Sequence, residues 1–221
     1  MFRSLTRESA NGPGHASIGG KPPRPCAGRV VGARRYPAGM FAALPEAHRQ
    51  LSWSAFASPV GELTVVATAS GVCRVDFAGP DRALGEFDEA ALSRDTGVAA
   101  EAARQLGEYF ARQRREFDLP IEWEPLEGLR LHVLRTLHEM VPFGETVSYK
   151  QLAELSGRPE ASRAVGTIMG SNPVPLLVPC HRVLASGGGL GGFGPGLEAK
   201  RRLLVLEGVL EPSLLELDLL S

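Results

Sequence analysis

Cysteine is scarce in this chain: Cys26, Cys73 and Cys180 are the only three in 221 residues. They are odd in number, far apart and follow no metal-ligand spacing, which excludes a disulfide framework and a zinc knuckle. In a reducing compartment they stay as thiols, so one of them is open to serve as a nucleophile. Long apolar runs are also missing. None approaches the roughly 18–20 residues needed to span a bilayer. The N-terminus lacks the apolar core of a secretory signal, so no membrane association and an intracellular location are expected. A large excess of one charge is absent too. The net charge of −1 and the 43% apolar content suit a globular protein rather than a disordered one. The length suffices for one large domain or two small ones.

Charge is nonetheless unevenly spread. Residues 1–40 hold seven basic residues against one acid, residues 50–125 seven against thirteen, and residues 126–210 nine against seven. The C-terminal half is therefore the better partner for a polyanion. Residues 1–45, rich in Gly, Pro, Arg and Ala without periodicity, read as a disordered basic leader.

From Trp53 the texture changes. Runs rich in β-branched and apolar residues at 52–58, 62–68 and 72–77 are separated by Ser58-Pro59-Val60-Gly61 and Ser70-Gly71, which predicts a β-meander. A helix follows over 98–112, with Ala102, Leu106, Tyr109 and Phe110 at helical spacing. A further strand is expected at 119–123. Leu129, Val133, Leu134, Leu137 and Met140 then mark an amphipathic helix closed by Pro142-Phe143-Gly144. Ser148 with Gln151 three residues on forms a capping box for a helix over 149–156, and Gly157 stops it. Pro159 opens the next helix, which carries 161–169. Two short helices across a glycine-containing turn make a helix-turn-helix. The apolar run 174–178 leads into Pro179-Cys180-His181-Arg182-Val183. A glycine-rich loop at 187–196 and a helix over 197–208 complete the chain.

Cys180 is the centre of the chemistry. A thiol attacks only as thiolate, so a reactive cysteine needs a base or a positive field. His181 is such a base, directly or through water. A carboxylate would orient and charge-stabilise that histidine, and the last helix offers Glu198 and Glu207. A lone Cys-His pair is weak, because free cysteine is more often a small core residue. Here the pair follows a proline that fixes the backbone and precedes a loop able to wall a pocket.

The pentapeptide Pro179-Cys180-His181-Arg182-Val183 resembles the active-site signature of the O6-alkylguanine-DNA alkyltransferases, also called methylated-DNA–protein-cysteine methyltransferases. The match continues through Tyr149, Arg163-Ala164-Val165-Gly166, Asn172-Pro173-Val174-Pro175, Gly191 to Leu197, Lys200 and Glu207. It spans roughly residues 126–208, and the stretch from 52 resembles the family's N-terminal domain more loosely. The resemblance implies an α+β fold in which a small RNase H-like sheet domain precedes a mostly helical domain with a winged-helix-like helix-turn-helix. The expected division is a leader at 1–48, the sheet domain at 49–125, the DNA-binding and alkyl-transfer domain at 126–210 and a tail at 211–221. It also implies the activity: irreversible, single-turnover transfer of an alkyl group from O6-alkylguanine in double-stranded DNA onto Cys180, with O4-alkylthymine left open as a second substrate. A monomer without cofactor is expected, in the cytoplasm or, in a eukaryote, the nucleus.

Roles follow residue by residue from the same resemblance. The lesion lies inside the duplex, so the nucleotide is rotated out, and the helix-turn-helix enters the minor groove. Ala161, Ser162, Ala164 and Gly166 provide a helix surface small enough for close approach, and Arg163 fills the space left by the base. Ser162 stands where the family has alanine. Tyr149 helps rotate the nucleotide and protonates the leaving guanine, Asn172 braces the active-site turn, and Glu207 is preferred over Glu198 as the partner of His181. Arg182 is expected to support structure. The pocket is expected from Cys180, Val183, Met169, Phe193 and Gly194, where a backbone N–H addresses the guanine O6. Gly194 replaces a common serine, and Pro195 after it is unusual. Thr68 and Cys73 fall where some eukaryotic relatives bind zinc, but no second Cys or His lies nearby, so no metal is expected. Three rivals differ in kind. A non-transferring DNA-binding relative would lack the cysteine and the N-terminal domain. A helix-turn-helix regulator would footprint on unmodified DNA. A Cys-His hydrolase would turn over on esters or peptides.

Overall fold

The computed structural model describes residues 50–85, 87–124 and 126–213. The expected leader, Cys26 and most of the expected tail lie outside them. Strands β1 (Leu51–Ser58), β2 (Gly61–Ala67) and β3 (Val72–Asp76) form the expected meander. The β1–β2 hairpin closes Ser58 on Gly61, and Gly61 takes φ 110°, a conformation that side-chain-bearing residues rarely adopt. After the single turn of α1 (Pro80–Ala83), a short β4 (Leu92–Arg94) returns parallel to β1, giving the order β3-β2-β1-β4. Helix α2 (Gly97–Phe110) crosses the sheet with Ala99, Ala102, Leu106 and Tyr109 buried.

The expected strand at 119–123 is not one. It makes a single bridge, Ile121 to Val72, with Val72 donating to the carbonyl of Pro120 and Glu122 donating back to Val72. Pro120 has no N–H to give, so the ladder cannot extend through it.

The second half is helical: α3 (Gly128–Met140), α4 (Tyr149–Leu155), α5 (Ser162–Met169) and α6 (Leu197–Leu206). The α4 capping box forms as expected, with Ser148 Oγ accepting from Gln151 N at 3.1 Å and Gln151 Oε1 from Ser148 N at 2.8 Å. Pro159–Ala161 is a 3-10 turn leading into α5, so the second helix begins tighter than expected. Two-residue strands β5 (Val147–Ser148) and β6 (Val183–Leu184) pair in parallel and tie the start of α4 to the segment after Cys180. No helix among the described residues is long and apolar enough to cross a membrane.

One continuous apolar core runs through both halves. Leu63, Val65, Leu106 and Tyr109 share it with Val133, Leu137, Leu152, Val178, Val183 and Leu203, all buried. Each such side chain contributes roughly 1.5–3 kcal/mol by leaving water. A backbone hydrogen bond, Val75 N to Pro173 O at 2.9 Å, also crosses from β3 to the loop that precedes Cys180.

Candidate active site and nucleic-acid surface

Cys180, His181 and Arg182 form one 3-10 turn, all three buried. The turn is set by what precedes it. Asn172 donates through Nδ2 to Val178 O at 2.7 Å and accepts from Val174 N at 3.1 Å, folding 172–178 into a closed loop. Within that loop Leu176 holds φ 76°, a left-handed conformation unusual for a bulky residue. Asn172 thus closes the loop that leads into the turn.

Burial raises the pKa of the Cys180 thiol, opposed by the Asn172 amide, the Lys200 charge and the amides of Cys180 and His181. At rest the sulfur therefore keeps its proton, and a base must take it. His181 points Nε2 at Glu207 Oε1, 2.9 Å away, with both side chains fully buried. With that carboxylate as acceptor, the proton sits on Nε2 and the lone pair on Nδ1. Nδ1 is buried with no protein hydrogen-bond partner among the described residues. Burial lowers the His181 pKa against the pull of Glu207, so the ring is neutral and able to accept a proton.

Glu207 is the hub. Arg182 grips it with two bonds, Nε to Oε2 and Nη2 to Oε1, each 2.9 Å, and its third nitrogen donates to Val141 O at 2.7 Å. Burial alone would raise the Glu207 carboxyl, but His181 and Arg182 outweigh it and hold it down at about 2. Glu198 is excluded as the dyad's acid: it sits on the surface, 3.1 Å from Arg202. A further donor, Tyr109 on α2, reaches Glu207 Oε1 at 2.8 Å. The sequence marked Tyr109 only as a core position. Its signal was chemical, since a buried tyrosine hydroxyl needs an acceptor.

Tyr149, at the start of α4, lies between two glycines. A Cβ on Gly166 of α5 would sit 3.9 Å from its ring, and one on Gly191 of the loop 3.0 Å from its hydroxyl. At Gly166 that distance is ordinary van der Waals contact, so only Gly191 is tight against the ring. Burial raises the Tyr149 pKa, the Gly192 carbonyl opposes this and Cys180 adds to it, so the phenol stays protonated and able to donate. Its hydroxyl reaches Gly192 O at 3.4 Å. Gly191 has φ 68° as well as this contact. Gly191→Ala is expected to destabilise the protein by about 1 kcal/mol or more, read from the urea midpoint. An unchanged midpoint would show that the loop has room to move.

Lys200 is wholly buried and donates to Val183 O at 2.6 Å and Gly192 O at 3.4 Å. Burial lowers its pKa to about 8, with Cys180 pulling the other way. It pins the glycine-rich loop to β6, beyond what its place in the sequence match indicated. Phe193 meets the His181 ring at 6.5 Å and Phe77, just after β3, at 5.7 Å. Met169 is buried in the core and Gly194 is exposed in the loop. On α5, Arg163 is exposed, while Ala161, Ser162 and Ala164 are half-buried beside it.

Residues 129–209 match the family model described as the DNA-binding domain of 6-O-methylguanine DNA methyltransferase, and residues 51–123 its ribonuclease-like domain. A methylated-DNA–protein-cysteine methyltransferase of Mycolicibacterium paratuberculosis is 46% identical over 118 residues, 53% of this chain and 70% of the relative. One from Methanosarcina acetivorans is 36% identical, covering 71% of this chain and 97% of the relative. Among solved structures, OGT of Mycobacterium tuberculosis in complex with DNA is similar at a TM-score of 0.62 and 34% identity, covering 77% of this chain and 99% of that one.

Proposed function

The chain belongs to the 6-O-methylguanine DNA methyltransferase family, and from that premise we propose that Cys180 is the cysteine that takes the alkyl group off DNA. The protein repairs DNA by direct transfer of an alkyl group to a cysteine. Cys180 fits the task because, of the two cysteines among the described residues, it is the one beside a buried histidine–carboxylate pair. Cys73, by contrast, donates to Val66 O on the sheet and has its pKa pushed up to about 12, chiefly by burial.

In the reaction, the thiol proton passes to His181 Nδ1, directly or through a water. The resulting imidazolium is balanced by Glu207, already ionised. The sulfur attacks the alkyl carbon, an S–C bond forms and the C–O6 bond breaks. Its electron pair goes to the guanine, which takes up a proton from the side of Tyr149. The thioether has no basic leaving group, so nothing reverses the step and each molecule acts once. Arg163, exposed on α5, is the residue that occupies the stack when the nucleotide swings out. Ala161, Ser162, Ala164 and Gly166 let that segment approach the groove closely. Val183, Phe193, Gly194 and Met169 frame the pocket around the base. The partner is double-stranded DNA carrying O6-alkylguanine, met by a monomer wherever the cell's DNA lies.

The test is intact mass after incubation with O6-methylguanine DNA, followed by peptide mapping. One added methyl group on the peptide containing Cys180 is expected. Methyl on Cys26 or Cys73, or several turnovers per molecule, would overturn the assignment.

A further inference from the structure

We propose that Tyr109 is a positioning residue for alkyl transfer, through which the sheet-bearing half of the chain holds the base of the other half in register. The proposal rests on Cys180 being the acceptor and His181 its base.

The argument begins at one oxygen. Glu207 Oε1 accepts from His181 Nε2 at 2.9 Å, Arg182 Nη2 at 2.9 Å and the Tyr109 hydroxyl at 2.8 Å. The first two donors ride on the same 3-10 turn as Cys180. A shift of that turn carries His181 and Arg182 together, restrained within the helical half by the bond from Arg182 to Val141 O at 2.7 Å. Tyr109 comes from α2, and so supplies an outside reference. The amide of Gly144 also reaches Glu207, but at 3.5 Å it is the long contact of the set.

The ring that carries this hydroxyl is itself immobilised. It lies 5.2 Å from Phe110, 5.5 Å from Phe117 and 6.1 Å from Phe143, and is fully buried. Burial, then the Glu207 charge and hydrogen bond, raise its pKa well above the ordinary value, so the phenol is a donor and never an acceptor of the proton. The carboxylate must sit still because it balances the charge that appears on His181 only as the thiol is deprotonated. A carboxylate free to swing would solvate the imidazolium less well in the transition state than one already placed.

A purely structural tyrosine would look similar in the folded protein but would behave differently in kinetics. Tyr109→Phe keeps the aromatic packing and removes only the hydroxyl. With free O6-benzylguanine, the maximal rate of alkylation is expected to fall about tenfold, as for loss of one hydrogen bond to a charged group. The concentration giving half that rate should stay within about twofold, since Tyr109 does not touch the base. In a His181→Ala background the same change should have no further effect, because the hydroxyl acts on the reaction only through that ring. An equal rate loss in both backgrounds, or an unchanged maximal rate with only a lowered melting temperature, overturns the proposal. Failure of the underlying reading looks different: the alkyl group would then be found on a residue other than Cys180.

Discussion

Arg163→Ala is expected to slow repair of O6-methylguanine in duplex DNA by about a hundredfold, the scale set by the few kcal/mol needed to unstack a base. The same variant should react near normally with free O6-benzylguanine, which needs no rotation out of a helix. Arg163 is exposed on α5, outside the 3-10 turn that carries Cys180 and His181. His181→Ala should fail differently. It removes the proton acceptor that any substrate requires, so both reactions should slow by roughly 10²–10⁴. The pH at which thiol alkylation reaches half its maximum should also rise, because burial already favours the protonated sulfur. Single-turnover rates for two variants on two substrates separate rotation from transfer. Equal damage by Arg163→Ala to the free base and the duplex would mean that Arg163 holds the fold instead.

Glu207→Ala should be among the most destabilising single changes available, costing about 3–5 kcal/mol. The side chain is buried and so is everything it satisfies: the Arg182 guanidinium, the His181 ring and the Tyr109 hydroxyl. Removing it leaves an uncompensated buried cation. The pH dependence follows with a definite sign. Glu207 is held down at about 2 against an ordinary value of 4.5, so the unfolded chain binds its proton first. Its stabilisation is complete above about 4.5 and is lost as pH falls toward 2. His181, whose pKa is lowered from 6.5 by burial, adds a loss of the same sign as pH falls below that value. Urea midpoints measured from pH 7 down to pH 3 should fall steeply in the parent and less steeply in the variant. A loss under about 1 kcal/mol at pH 7 would mean that water replaces the carboxylate, and the hub would be dispensable.

Much of this arrangement was legible in the chain. The meander was readable because Pro59 and Gly61 punctuate β-branched runs, and α4 because Ser148 and Gln151 carry the chemistry of its start. The dyad was readable through resemblance rather than through periodicity, since His181 and Glu207 are 26 residues apart. Three features escaped for physical reasons. Strand β4 is three residues long and polar, so its pairing with β1 comes from tertiary placement, not local propensity. The run 119–123 has strand composition, yet Pro120 confines it to one bridge. The left-handed Leu176 contradicts its own preference and is held there by the bonds of Asn172. Tyr109 and Lys200 belong to a different class. Their residue types were visible, but the partner of a buried donor is chosen by the fold.

The apolar core that joins the sheet to the helical half has a consequence for how the molecule breathes. Opening either half by itself would bare Leu106 and Tyr109 on one side or Leu137 and Val178 on the other to water. Such a partial opening gains little chain entropy against a large exposed area, so it should be rare compared with complete unfolding. The backbone amides of β2 and those of α3, far apart in sequence, should then surrender their protons to heavy water at one common slow rate. The division that the sequence suggests between residues 49–125 and 126–210 does not divide the core. In solvent exchange the two halves should behave as a single block, with Cys180 sealed at its centre.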